Sequence, residues 1–183
     1  MPSATAELLP HPAIPDDAIR RIGVAIGAAA SAGDLRICFR VEGDMSRLRL
    51  PGEQPALRTD GLWQHSCFEA FLRADASDSY YEFNFSASGA WAAYRFSGRR
   101  AGRESPAMPV PWIDFRRCGD ACDMSAVISL AALPELAHSP VLQAGLAAIC
   151  EDQDGRLSYW ALAHRAAQPD FHDPETFTLR VAR

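Results

Sequence analysis

Tyr80-Tyr81-Glu82-Phe83-Asn84-Phe85-Ser86-Ala87-Ser88-Gly89-Ala90-Trp91-Ala92-Ala93-Tyr94-Arg95-Phe96 reads as a β-hairpin. Tyr81, Phe83 and Phe85 alternate with Tyr80, Glu82 and Asn84. Ser86-Ala87-Ser88-Gly89 supplies turn residues, and Ala92, Tyr94 and Phe96 resume the period of two. The same period runs upstream, where Phe68, Ala70 and Leu72 alternate with Cys67, Glu69 and Phe71, and Leu35, Ile37, Phe39 and Val41 alternate with Arg36, Cys38, Arg40 and Glu42. Further strand candidates are 19–27, 47–50, 112–118, 123–130, 142–151, 157–162 and 177–182. The single helix signal is short, over 130–137, and is limited by Pro134. About ten short strands with turn signals between them describe an all-β chain, an antiparallel β-sandwich with one short helix.

The organisation expected is an extended N-terminal arm over 1–18, which holds four of the 13 prolines, followed by a β-sandwich over 19–183. The breaks at 51–61 and 98–111 are rich in Pro and Gly and read as loops, where binding chemistry concentrates.

The 183 residues carry 18 cationic side chains, all arginine, against 23 carboxylates, for a formal charge of -5. The absence of lysine excludes Schiff-base and phosphate-loop lysine chemistry. The acidic balance argues against a nucleic-acid or anionic-membrane surface. No apolar run of membrane-spanning length exists, and the Arg20-Arg21 pair before 22–30 is a poor signal peptide because Asp16 and Asp17 precede it. A cytoplasmic location is expected. The five cysteines are odd in number and dispersed, unlike a secreted disulfide framework. Cys118 and Cys122 are close, but no second ligand pair stands at zinc-site spacing.

Residues two apart on a strand share a face. With Phe68 and Leu72, Tyr81, Phe83 and Phe85, and Tyr94 and Phe96 all placed inside, the opposite face displays Glu69, Glu82, Asn84, Trp91 and Arg95, with Trp63 just upstream. One reading is a solvated outer face with a Glu82–Arg95 cross-strand pair. The other is a polar ligand cradle, in which indoles stack on the C–H faces of a sugar while carboxylate, amide and guanidinium bond its hydroxyls.

The run 60–72, Asp60-Gly61-Leu62-Trp63-Gln64-His65-Ser66-Cys67-Phe68-Glu69-Ala70-Phe71-Leu72, together with the hairpin, resembles the bacterial DOMON-like proteins related to carbohydrate-binding module family 9. Gly145-Leu146-Ala147-Ala148-Ile149-Cys150-Glu151, Tyr159-Trp160-Ala161-Leu162-Ala163-His164 and Pro169-Asp170-Phe171-His172 extend the likeness over most of 20–182. Some members of that group carry the name of a cell-wall reductase (MurB), although no flavin-binding pattern occurs here. The resemblance implies a non-catalytic β-sandwich that binds a small molecule, a sugar or sugar derivative. It implies Trp63 as one wall of an aromatic clamp and Glu69, six residues on, as a hydroxyl ligand. Asn84 and Arg95 would add polar contacts, and Phe171 or His172 would take the second wall, where no tryptophan occurs.

Relatives with this fold hold structural calcium in acidic loops, or haem through a methionine and a histidine. No acidic loop cluster, and no spacing between Met45, Met108 or Met124 and a histidine, marks either, so no cofactor or metal is expected. Two other function classes follow from the residues: a glycosidase-type hydrolase using Glu69 and Glu82 as a carboxylate pair, and a haem-binding or protein-interaction module. His65, His164 and His172 could also converge with Asp170 or Asp173 on a metal. Trp160 reads as core.

Overall fold

In a computed structural model, which describes residues 4–182, the chain forms eleven antiparallel strands in one continuous sheet that curls over into a β-sandwich. One layer consists of β2 (Ile19–Ala28), β3 (Asp34–Gly43), β8 (Ala121–Ser129) and β7 (Trp112–Cys118), side by side in that order. The other runs β6 (Trp91–Phe96), β5 (Tyr80–Phe85), β4 (Cys67–Ala74), β9 (Val141–Glu151) and β10 (Leu157–Ala161).

Within the segment expected as an extended N-terminal arm, a strand forms the seam between the layers, and turns follow it before β2. β1 (Ala4–Pro10) pairs with β2 through Leu8 and with β10 at Leu9 and Pro10. Leu8 is buried there. The long strand β9 shares one edge between two partners, β10 at 147–151 and β11 (Leu179–Ala182) at 141–144.

Strand alternation fills the space between the layers. Leu35, Ile37, Phe39 and Val41 of β3 face Phe68, Ala70 and Leu72 of β4 and Tyr81, Phe83 and Phe85 of β5, with Trp160 in the same core. Phe39 and Phe68 meet across the sandwich with ring centroids 5.2 Å apart. The helix α1 is Pro134–Ala137. Pro134 starts it at the first position rather than ending it, where the missing N–H costs nothing, and Leu136 plugs into the core. The stretch 47–50 is not a strand: Pro51 follows it and an Asp44-Ser46 turn precedes it, leaving one bridge, Leu48 to Asp152.

The two outer faces differ. Beyond β2, β3 and β8 lie exposed ion pairs such as Arg40–Asp123, which contribute about 0–1 kcal/mol each. Beyond β4, β5 and β6 lies a second apolar cluster of Phe71, Tyr80, Tyr94, Phe96 and Phe177. Both faces of β5 are therefore buried.

The register of β6 differs from the expectation. A four-residue turn over 86–89 would set Tyr94 opposite Tyr81. The turn takes five residues, with Ser86 N–H donating to the Ala90 carbonyl and Gly89 at φ 93°. Phe85 thus pairs with Trp91, Glu82 with Tyr94 and Tyr80 with Phe96. One added residue moves every β6 side chain to the other face. Trp91 and Arg95, expected on the ligand face, point to the sandwich side. Trp91 is in the main core, and Arg95 pairs with Glu135 at 2.6 Å instead of with Glu82. Tyr94 and Phe96 take their place on the other face.

Candidate functional site

The second apolar face is only half covered. The C-terminal segment crosses it after β10 and lays Phe177 over Phe71 (centroids 5.7 Å, nearly parallel) and Tyr80 (5.6 Å). Gly145 of β9 permits this approach, since a Cβ there would stand 2.5 Å from Phe177 Cδ1. The other half of the face is left as a cavity of about 380 Å³, lined by Trp63, Glu69, Glu82, Tyr94, Phe96, Arg100, Arg103, Ile149, Tyr159, Pro169, Phe171 and His172.

Of the residues picked from sequence, Trp63, Glu69, Glu82, Phe171 and His172 meet in this one cavity. Asn84 lies just beneath it and orients the floor: its Nδ2 donates to Glu82 Oε1 at 2.7 Å, while the Cys67 thiol donates to its Oδ1 at 3.6 Å. Trp91 and Arg95 are absent from it because of the β6 register. Sequence reading missed Tyr94 and Phe96 for the same reason. It also missed Tyr159, and Arg100 and Arg103 individually, although their loop had been marked as a place for binding chemistry.

Each wall has a structural cause. Gly61, at φ 81°, turns the chain into a single 3-10 turn over Leu62–Gln64 that brings Trp63 over the strand face. Tyr94 fixes that turn by donating its hydroxyl to Asp60 Oδ1 at 2.6 Å, and its ring meets the Trp63 indole edge-on at 6.0 Å. Tyr159 and Phe171 form the opposite wall, 6.2 Å between centroids. On the rim, Arg103 lies over the Tyr94 ring at 4.8 Å, a cation–π contact. Arg100 pairs with Asp170 at 3.0 Å, and Arg99 reaches the other oxygen of the same carboxylate.

The floor is acidic and enclosed. Glu69 and Glu82 are 3 % and 5 % exposed. Glu69 stands opposite Asn84, and Glu82 opposite Phe71, so the two glutamates are diagonal neighbours on one face, a relation that puts residues about 7–8 Å apart and their β-carbons somewhat closer. Burial, then repulsion from Glu82, pushes the Glu69 carboxyl well above the usual carboxylate range. Burial also raises Glu82, against the lowering effect of the Asn84 amide and the rim arginines. His172 Nε2 lies 3.5 Å from Glu82 Oε2. Burial and the nearby Arg100 pull that imidazole down to about 4, so it is neutral at pH 7.

The three histidines do not gather. His65 Nδ1 lies 2.8 Å from Glu151 Oε2, His164 Nε2 lies 2.9 Å from the Leu9 carbonyl, and His172 sits in the cavity. Among the described residues no group of three or more His, Cys, Asp and Glu side chains is placed to hold a metal ion. Met45 and Met124 are core residues, and Met108 packs against the same core. None of the three lines the cavity. No described helix is long and apolar enough to cross a membrane.

No protein-family profile matches the chain, and no curated protein matches it in sequence. Solved structures share its fold. A candidate carbohydrate-binding protein from Bacteroides uniformis superposes with a TM-score of 0.69 at 17% identity, over 98% of this chain and 85% of that one. A carbohydrate-binding module of family 9 from Caldicellulosiruptor kristjanssonii, in complex with cellotriose, gives 0.53 at 13% identity, over 96% and 82%. At such identities the likeness establishes the antiparallel sandwich.

Proposed function

We propose that this protein is a non-catalytic carbohydrate-binding module of the DOMON-like, family 9 type, holding one sugar unit in the cavity under Trp63. The observation that carries this reading is the composition of the cavity: aromatic walls from Trp63, Tyr94, Tyr159 and Phe171 above a polar floor of Glu69 and Glu82. A sugar ring needs both, stacking for its C–H face and fixed acceptors or donors for its hydroxyls. The cellotriose-bound module of the same fold adds a precedent for sugar binding on this architecture.

The buried carboxylate pair also raises the hydrolase reading, since elevated carboxyl pKa values mark general acids. A glycosidase, however, sets its two carboxyls on either side of the bond it breaks. Glu69 and Glu82 rise from adjacent strands on one floor and address one side of a bound ring.

Thermal unfolding in the presence of mono- and oligosaccharides tests the proposal. A sugar at 100 times its dissociation constant adds about 2.7 kcal/mol of stability and raises Tm. The gain is expected to vanish in Trp63→Ala. Turnover of an aryl glycoside that disappears in Glu69→Gln would instead establish the enzyme.

A further inference from the structure

We propose that the cavity selects a sugar bearing a protonated amine, with the ammonium seated on the floor between Glu69 and Glu82. This rests on the carbohydrate reading above and names the class of sugar.

Two buried carboxyls share this floor, and neither is in an ion pair with an arginine among the described residues, although Arg100 and Arg103 border the same cavity. Glu69 makes no hydrogen bond or ion pair with any described side chain, although it is 97% withdrawn from solvent and lines the cavity. Glu82 receives the Asn84 amide, and the basic group nearest to it is His172, a neutral imidazole. The one other buried carboxylate among the described residues is matched: Glu151 holds both Arg49 and His65. An unmatched buried carboxylate is costly, so these carboxyls hold a proton more tightly than usual, and a ligand cation compensates the charge when they ionise. Neutral hydroxyls do so only in part, because they bring dipoles where a charge is called for.

The surroundings suit an ammonium in two further respects. A diagonal pair of acceptors leaves space for a head group whose three N–H donors diverge. The rings of Trp63, Tyr94 and Phe96 line the same space, and aromatic rings attract a cation. Of the cations on the rim, Arg99 and Arg100 are matched by Asp170 and Asp173, and Arg103, which also lines the cavity, is engaged over the Tyr94 ring.

Isothermal titration of the full chain with glucosamine, galactosamine and mannosamine, each beside its neutral parent and its N-acetyl form, tests the assignment. At least one amine is expected to bind about tenfold or more tightly than both neutral counterparts, the size of one charge-assisted hydrogen bond. Glu69→Gln and Glu82→Gln should each shrink that ratio, and the double variant should bring it close to one. The wild-type comparison decides even where a variant fails to fold. Equal binding of amine and neutral sugar, or tighter binding of glucuronate than of every amine, overturns the selectivity and leaves the carbohydrate reading standing. Tetramethylammonium binding as well as the best amino sugar would uphold the cation site and overturn the carbohydrate reading. Binding of none of these probes overturns both.

Discussion

The Tyr80 hydroxyl lies 2.7 Å from His172 Nδ1 and receives the Arg100 backbone N–H at 3.1 Å. His172 thus has one ring nitrogen on the Tyr80 hydroxyl and the other, Nε2, toward Glu82. Arg100 holds its position with a left-handed backbone, φ 53°, so the loop that brings arginine to the rim also holds the hydroxyl that anchors a cavity histidine.

The first prediction follows from that neutral ring. Unfolded, His172 takes up a proton near 6.5; folded, it does so only near 4. Between those values the unfolded state binds more protons, so this group's contribution to stability is lost as pH falls through the window. At about 1.36 kcal/mol per pK unit, the loss from pH 6.5 to 4.5 is on the order of 2 kcal/mol. Urea unfolding of wild type and His172→Gln at both pH values should show the steeper loss in wild type. Equal losses would place the imidazole in solvent.

The floor carboxyls carry the opposite sign. Their folded pKa values are raised, so the folded state keeps a proton that the unfolded state releases above about 4.5. Stability present below that pH is lost as pH rises through the folded values. Glutamine never ionises, and Glu69→Gln should therefore melt a few °C above wild type at pH 8, since about 2–4 °C corresponds to 1 kcal/mol in a chain of this size. At pH 4 the two melting points should coincide. A difference that does not change with pH would mean that Glu69 is hydrated.

Much of this was legible in the sequence, and the exceptions have physical causes. Period-two alternation located β3, β4, β5 and β8 and put Glu69, Glu82 and Asn84 on one face, because a pleated strand leaves side chains no other choice. The face of β6 was misread because it depends on whether the Ser86–Ala90 turn holds four residues or five, and small residues satisfy both. Tyr94 and Trp91 exchanged roles on that single residue. The cavity itself depends on long-range crossings, with Phe171 and His172 arriving from beyond β10 and Arg100 from a loop, and no local period encodes those.

Gly145→Ala provides a test of how the second face is closed. The added methyl would overlap the Phe177 ring, and crowding of this kind costs typically 1–3 kcal/mol. The cost should be relieved when Phe177 is already alanine. A double-mutant cycle by chemical denaturation should thus give a clearly non-additive pair. Additive effects would mean that Phe177 does not rest on β9.

Trp63 and Trp91 should separate binding from folding. Trp91 is 4 % exposed in the main core, with Arg58 over its ring at 5.2 Å. Trp91→Ala should cost about 3–5 kcal/mol, the usual result of truncating a buried aromatic. Trp63 is half-buried, borders the cavity and touches Tyr94 at its edge. Trp63→Ala should cost markedly less stability and remove most of the affinity for sugar, because the indole supplies the stacking wall. Affinities in the micromolar-to-millimolar range, about 4–8 kcal/mol, are expected for a single enclosed ring. Denaturation curves and sugar titrations on both variants give four numbers. Retention of wild-type affinity in Trp63→Ala would remove that indole from the site, and unchanged stability in Trp91→Ala would return β6 to the register in which Trp91 faces the ligand.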